Sequence, residues 1–439
     1  MNVFSRYGNR AYDGMLVLFV YFVVQLLCFL HPVYNAHEAR LARNAARAAT
    51  VAHTQGRDDT VTTTLTYTPR QRMLNAYLGQ WSDCRVVAPE FWYYLPARVM
   101  GLDMVTFARE VPHWKALQET FRHYQTEGWG IVAPAQPNPA VESTSTFESL
   151  GEGRYQQRII TRTRYGTLSD CRMYDVKEPS WHVERPIKNL AQDYDAWLET
   201  AFPPLELMDF TEAHHALQAV GEDYLLEVMV GGMFFDFMAQ PMGMEEGVMA
   251  LADHEDRYLA LQQRFNEHMT EKTRLICEQT ADAPIFIACS WSCASLMGPN
   301  LWRRWDLPGV KAIVDEAHRH GRLVHIHYHG KIMDNLPDLI ETGVDCICPF
   351  ERLPGGDVTD LALVRRMLGG AITMNGNVHT VERLIRGCPA DVEREVQEIG
   401  EAFAGEPRLI IGTGDQVGGE TPDENIHAMV EASRRLPVG

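Results

Sequence analysis

Short apolar runs recur through the second half of the chain, at 285–290, 324–329, 344–350, 371–376 and 408–413. Between and after them lie longer stretches, near 301–320, 333–342, 361–368, 391–403 and 422–435, where apolar residues return every three or four positions. The short runs suit buried strands and the long stretches suit amphipathic helices. Strict alternation of the two predicts a parallel sheet with helical crossovers. Earlier strand-like runs near Val86, Ile131 and Leu226 bring five such units up to the eight of a (β/α)8 barrel. The expected fold is therefore α/β, a distorted (β/α)8 barrel whose strand C-terminal ends share one face.

The first half is less regular. Residues from Thr68 read as a helix with Pro69 in its first turn and Met73, Leu74 and Tyr77 at helical spacing. The run 86–90 reads as the first strand, with Pro89, Glu90, Tyr93 and Tyr94 at its mouth. Residues 136–153, rich in Ser, Thr, Glu and Pro, are expected to form a surface loop, and 154–163 with 165–174 a β-hairpin. The segment 181–188 leads into an acidic helix near 193–198. After the strand 225–232, Met233 and its neighbours to Met238 are expected to line a pocket, and Met242, Met244 and Met249 to fill core or pocket wall.

Residues 1–67 differ in kind from the barrel domain expected over 68–439. The run MLVLFVYFVVQLLCFL at 15–30 is nearly all apolar and follows Arg6 and Arg10. An Ala/Arg-rich stretch and a Thr-rich polar linker come next. Three readings stand open: a membrane anchor, a cleaved signal, or a tail outside the working protein.

Acidic residues outnumber basic ones, 58 to 40, and no Lys/Arg block stands out, which excludes nucleic acid as an expected partner. Nine irregularly spaced cysteines argue against a disulfide framework and for a reducing compartment. A cytoplasmic location is expected, with membrane attachment only if residues 15–30 are a real anchor. Neither Cys289/Cys293 nor Cys346/Cys348 has zinc-knuckle spacing, and Cys346 and Cys348 are read as core.

The chemistry concentrates at Val324-His325-Ile326-His327-Tyr328-His329-Gly330. On a strand, histidines at every second residue share one face. His325 is read as structural, and His327 and His329, at the strand end, as functional. Reading the following strand ends adds Glu351, Asn377 and Asp415. A barrel would gather them into one bowl.

With these residues in view, the chain from about Thr68 onward resembles the uroporphyrinogen decarboxylase superfamily, which includes zinc-dependent methyltransferases working with methylated corrinoid proteins. TPRQR at the start resembles the family's opening helix, and RLVHIHYHGKIMDNLPDLIETGVD its central His-x-Cys-Gly segment. Gly376-Asn377-Val378 resembles its Gly-Asn-Ile/Val, and TPDEN at 421–425 its closing motif. The methyltransferase branch is the nearer one: the Arg-rich segment with which the decarboxylases grip carboxylates is replaced here by Glu90-Phe91-Trp92-Tyr93-Tyr94.

The resemblance implies metal ligands at His327, His329 and Asp415. Both cysteines of the family's His/Cys/Cys set are changed, which opens the choice from zinc to iron or manganese. Under that reading Glu351, Asn377 and Glu90 are the catalytic candidates, and the aromatic and Met-rich pocket candidates Trp92, Tyr93, Trp291 and Met233 point to a partly apolar small-molecule substrate. A corrinoid, with its protein, or tetrahydrofolate would carry the methyl group, and a homodimer is an option that the family's paired barrels suggest. Methyl transfer is the leading expectation and decarboxylation the second. A metal-dependent hydrolase ranks lower, because its His-x-His would lie on the first strand. A membrane-tethered binding protein without activity is the non-enzymatic alternative.

Overall fold

The computed structural model describes residues 66–438 apart from residue 254. The apolar segment 15–30 and nearly all of the linker after it lie outside the described residues. Among the described residues, no helix is long and apolar enough to cross a membrane.

Eight parallel strands form the main sheet: β1 (Val86–Ala88), β2 (Trp129–Val132), β7 (Leu225–Gly232), β8 (Ile285–Cys289), β9 (Val324–Tyr328), β10 (Cys346–Cys348), β11 (Thr373–Val378) and β12 (Leu409–Thr413). Their order is β1-β12-β11-β10-β9-β8-β7-β2. From β2 through β7 to β12 each strand thus lies beside its sequence neighbour within this set, and β12 returns to β1. The strands are buried almost throughout, because helices cover the outer face and side chains fill the interior. This is the expected barrel, distorted at one seam.

That seam lies between β1 and β2, which share no ladder. Glu127, just before β2 and fully buried, replaces it with side-chain bonds. Its Oε2 accepts the Val87 N–H at 3.0 Å. Arg72 donates to Oε1 at 3.1 Å and Arg434 donates to Oε1 at 2.8 Å. Arg72 is held in turn by Asp83 at 2.7 Å. The sheet is closed here by a charged hub joining the first and last helices.

The N-terminal end of the barrel is plugged by the helix Pro69–Leu78, started by a capping box between Thr68 and Gln71. Tyr77 from this helix donates to Glu227 on β7 at 3.0 Å, and Thr373 on β11 donates to the Ala76 carbonyl at 2.8 Å. With that floor closed, the opposite end alone is left for chemistry.

A second sheet, antiparallel, is inserted after β2: β3 (Glu142–Gly151), β4 (Arg154–Thr163), β5 (Gly166–Asp175) and β6 (Trp181–Glu184), in that order. The hairpin read at 154–174 is β4 and β5. The loop expected at 136–153 is instead largely β3, which pairs with β4 from Glu142↔Arg162 to Gly151↔Arg154. Its apolar alternation is missing because β3 is exposed along almost its whole length. Backbone pairing holds it, together with Phe147, which stacks on Tyr155 at 5.2 Å and lies under the Arg109 guanidinium at 3.7 Å.

Candidate active site

The two histidines of β9 and His329 just after it climb the barrel interior. Strand register sets Phe286, His325 and Cys346 side by side in the lowest layer, and His327 beside Cys348 in the next. His325 Nδ1 sits 2.8 Å from Glu227 Oε2, with both side chains fully buried, and its ring meets Trp129 edge-on at 4.9 Å. That is a packed, hydrogen-bonded core histidine, tied through Glu227 to the plug.

In the middle layer, His327 Nδ1 lies 3.2 Å from Cys348 Sγ and 3.9 Å from Glu90 Oε2. Glu90, Cys348 and His327 each offer a donor atom within 4.8 Å of the others, all buried. Burial drives each toward its neutral form. It pushes the Glu90 carboxyl well above the usual carboxylate range, with Asp415 adding to the rise. It raises the Cys348 thiol and holds His327 well below an ordinary imidazole. Trp92 donates its indole N–H to Glu90, and Thr413 bonds the Glu90 N–H at 3.0 Å. The carboxyl is thereby fixed in place.

At the top, His329 is only 18% exposed and stands between two carboxylates, Glu351 Oε1 2.5 Å from Nδ1 and Asp415 Oδ1 3.6 Å from Nε2. Burial opposes its charge, but Glu351 and Asp415 outweigh burial and raise the imidazole to about 10. Asp415 is pushed up to about 6 by burial, with His329 opposing and Glu351 adding. Glu351 also accepts the Gly330 N–H at 2.5 Å. Asn377 is buried and donates Nδ2 to the Phe350 carbonyl at 2.9 Å, its Oδ1 left without a hydrogen bond.

Of the residues expected from sequence, the structure sets His329 between Glu351 and Asp415 and His327 beside Glu90. Among the described residues the donor trio is Glu90, His327 and Cys348, whereas both nitrogens of His329 face carboxylates. The rings of His327 and His329 stand 4.9 Å apart, but the nitrogens of His329 face Glu351 and Asp415, whereas His327 Nδ1 faces Cys348 and Glu90. The apolar run around Cys348 predicts a core residue. It is buried, and only the lateral register of β9 against β10 reveals that its sulfur faces an imidazole.

The remaining candidates spread over the rim and the outer layer. Trp291, following β8, is nearly buried and donates its backbone N–H to Asp236 at 3.0 Å. Tyr93 packs 6.3 Å from His113 at the start of the helix Tyr94–Met100. Met233 has no exposed surface, and its sulfur points toward Gly309 in the helix Leu307–Arg319, on the outer layer.

Behind Trp291 lie two buried carboxyls, Asp236 and Asp306. Burial raises Asp236 to about 6 and Asp306 to about 7, the backbone N–H groups they accept opposing the rise. Folded-state values above the unfolded one mean that the native protein holds protons the unfolded chain has released, so stability falls as pH climbs from about 4 through 7. Asp306→Asn is expected to flatten this decline. Denaturant melts at pH 5 and pH 8 should show the variant gaining on the parent at pH 8 by on the order of a few kcal/mol; parallel pH profiles would refute the assignment.

Comparison with known proteins now bears on this arrangement. No curated protein matches the sequence. A solved structure described as a methyltransferase from Methanosarcina mazei is similar over 84% of this chain and 98% of its own, with a TM-score of 0.54 and 16% identity; at that identity the likeness concerns the fold. A second, an uncharacterized protein, is 18% identical over 38% of this chain and 43% of its own, with a TM-score of 0.23. The family model described as Uroporphyrinogen decarboxylase (URO-D) matches residues 184–436. That stretch is more than half of the chain and carries β7 to β12 with every histidine of the central strand, so the chain belongs to the uroporphyrinogen decarboxylase family.

Proposed function

We propose that this protein is a metal-assisted methyltransferase, moving a methyl group between a small molecule and a corrinoid or folate carrier. The observation that carries the reading is the buried meeting of Glu90, His327 and Cys348 within 4.8 Å, directly under an ion-paired His329. Nitrogen, thiolate and carboxylate donors form a set suited to zinc, with the thiolate favouring it over iron or manganese. A divalent ion held there would supply Lewis acidity and keep a coordinated thiol deprotonated.

The chain's own groups do the rest. Glu351 and Asp415 hold the His329 proton at the open end of the site, where it can be delivered to a leaving group. Trp92 and Thr413 fix Glu90. Asn377, anchored on the Phe350 carbonyl, presents its free amide oxygen to orient the small molecule. Water is kept from the middle layer by Trp129 and Phe286, which flank His327 at 6.2 and 6.4 Å.

Incubation with methylcobalamin and candidate acceptors tests this reading: a loss of the methyl–cobalt spectrum that depends on His327 is expected, and an unchanged spectrum with every acceptor tried counts against methyl transfer. A carboxy-lyase is the second reading, favoured by the same charged His329, which could protonate the carbon left after loss of carbon dioxide. Release of carbon dioxide without methyl loss would select it.

A further inference from the structure

The inserted sheet carries a cluster that the barrel chemistry does not use. β5 and β6 pair Arg172 opposite His182, so the two side chains share a face, together with Asp170 two residues before Arg172. Arg172 is 2% exposed, yet its Nε makes no hydrogen bond, and the nearest carboxylate oxygen, Asp170 Oδ1, is 3.8 Å away. His182 Nδ1 is 3.1 Å from Asp170 Oδ2 without hydrogen-bond geometry. Ser180, one residue before β6, is buried with its hydroxyl unpaired.

Arg185 joins this cluster to the barrel mouth. Its guanidinium lies 5.2 Å over the Trp291 ring and donates to the Gln240 carbonyl. The indole N–H of Trp291 is buried without an acceptor. Arg172 Nε, the Trp291 indole N–H and the Ser180 hydroxyl go unmatched, with Asp170 Oδ1 unmatched beside Arg172 and Asp236 Oδ2 behind Trp291. Buried polar groups are nearly always satisfied, and a buried guanidinium is costly without an anion. Two guanidiniums placed together, Arg172 and Arg185, are the more telling in a chain of net charge −18.

We propose that Arg172, His182, Arg185 and Ser180 form an oxyanion-binding subsite at the rim, which holds a carboxylate or phosphate group of the small-molecule ligand. A guanidinium offers a planar fork that matches either group. Trp291, beside Arg185, follows β8, and β8 pairs with the histidine strand β9. A ligand anchored by its anionic end on the inserted sheet would reach the central layers with its other end. The subsite is independent of any metal.

Calorimetric titration of the full-length protein with inorganic phosphate, and separately with succinate, tests the assignment. Binding of at least one is expected, weakened about tenfold or more by Arg172→Gln and by Arg185→Gln, and unchanged by Arg158→Gln. Arg158 lies on the opposite face of the same sheet and pairs with Glu184 at 2.7 Å. Preference for phosphate identifies a phosphorylated ligand and preference for succinate a carboxylate. If Arg172→Gln fails to fold by circular dichroism, Arg185→Gln decides alone. No binding to the parent protein, binding by both variants as tight as the parent's, or equal weakening by Arg158→Gln overturns the proposal. Because the readout is binding, its failure leaves the methyl-transfer reading standing.

Discussion

Purified protein is expected to carry about one zinc-like divalent ion per chain, with His327→Ala and Cys348→Ser each losing it and His329→Gln keeping it. The argument rests on which donors converge. Glu90, His327 and Cys348 lie within 4.8 Å of one another in the middle layer. His329 is occupied on both sides by Glu351 and Asp415. Removal of one ligand from a three-residue site typically lowers affinity by orders of magnitude, because the remaining donors cannot close the coordination shell. Elemental analysis after dialysis reads the result directly. An ion retained by His327→Ala and Cys348→Ser but lost in His329→Gln and Asp415→Asn would restore the set implied by family resemblance. A parent protein that takes up no ion at all would end the metal reading.

Glu127→Ala is expected to be the most destabilising single substitution among those considered, by about 3–5 kcal/mol. It removes one of the two carboxylates that hold Arg72, whose side chain is 4% exposed, removes one anchor of Arg434, and leaves the Val87 N–H of an unpaired strand edge without its acceptor. Burial works against the charge on Arg72, but its hydrogen bond to Asp83 and the nearby carboxylates raise it above the ordinary value, so the guanidinium cannot escape by losing a proton. Arg122→Gln is the control. Arg122 is 53% exposed in its pairs with Glu119 and Asp223, and its loss should stay within about 1 kcal/mol. Urea unfolding monitored by circular dichroism separates the two; equal midpoints would show that the seam is held by other means.

The barrel was legible because its signal is local. A strand buried on both faces is mostly apolar, as 409–412 is, and a covering helix repeats its apolar face, as 361–368 does. Turn and cap chemistry at Thr68 and Pro69 marked the first helix for the same reason. The inserted β3 was not legible, since an exposed strand held by backbone pairing imposes no apolar period. Of the site, His327, His329, Glu351, Asn377 and Asp415 could be read from strand ends. The partnership of Cys348 could not be, nor the clustering of Arg172 with Arg185, because both depend on what lies beside a residue rather than before or after it.

By itself, then, the sequence determined the barrel, the approximate place of its strands and the single face shared by three histidines, all consequences of residue spacing along one element. Tertiary structure alone decided how that face divides: a core histidine on Glu227, a donor trio around His327 and a charged pair of contacts at His329. The physical reason is that layer height follows from the strand's own rise, but the neighbour across each layer follows from sheet register and from where the chain returns.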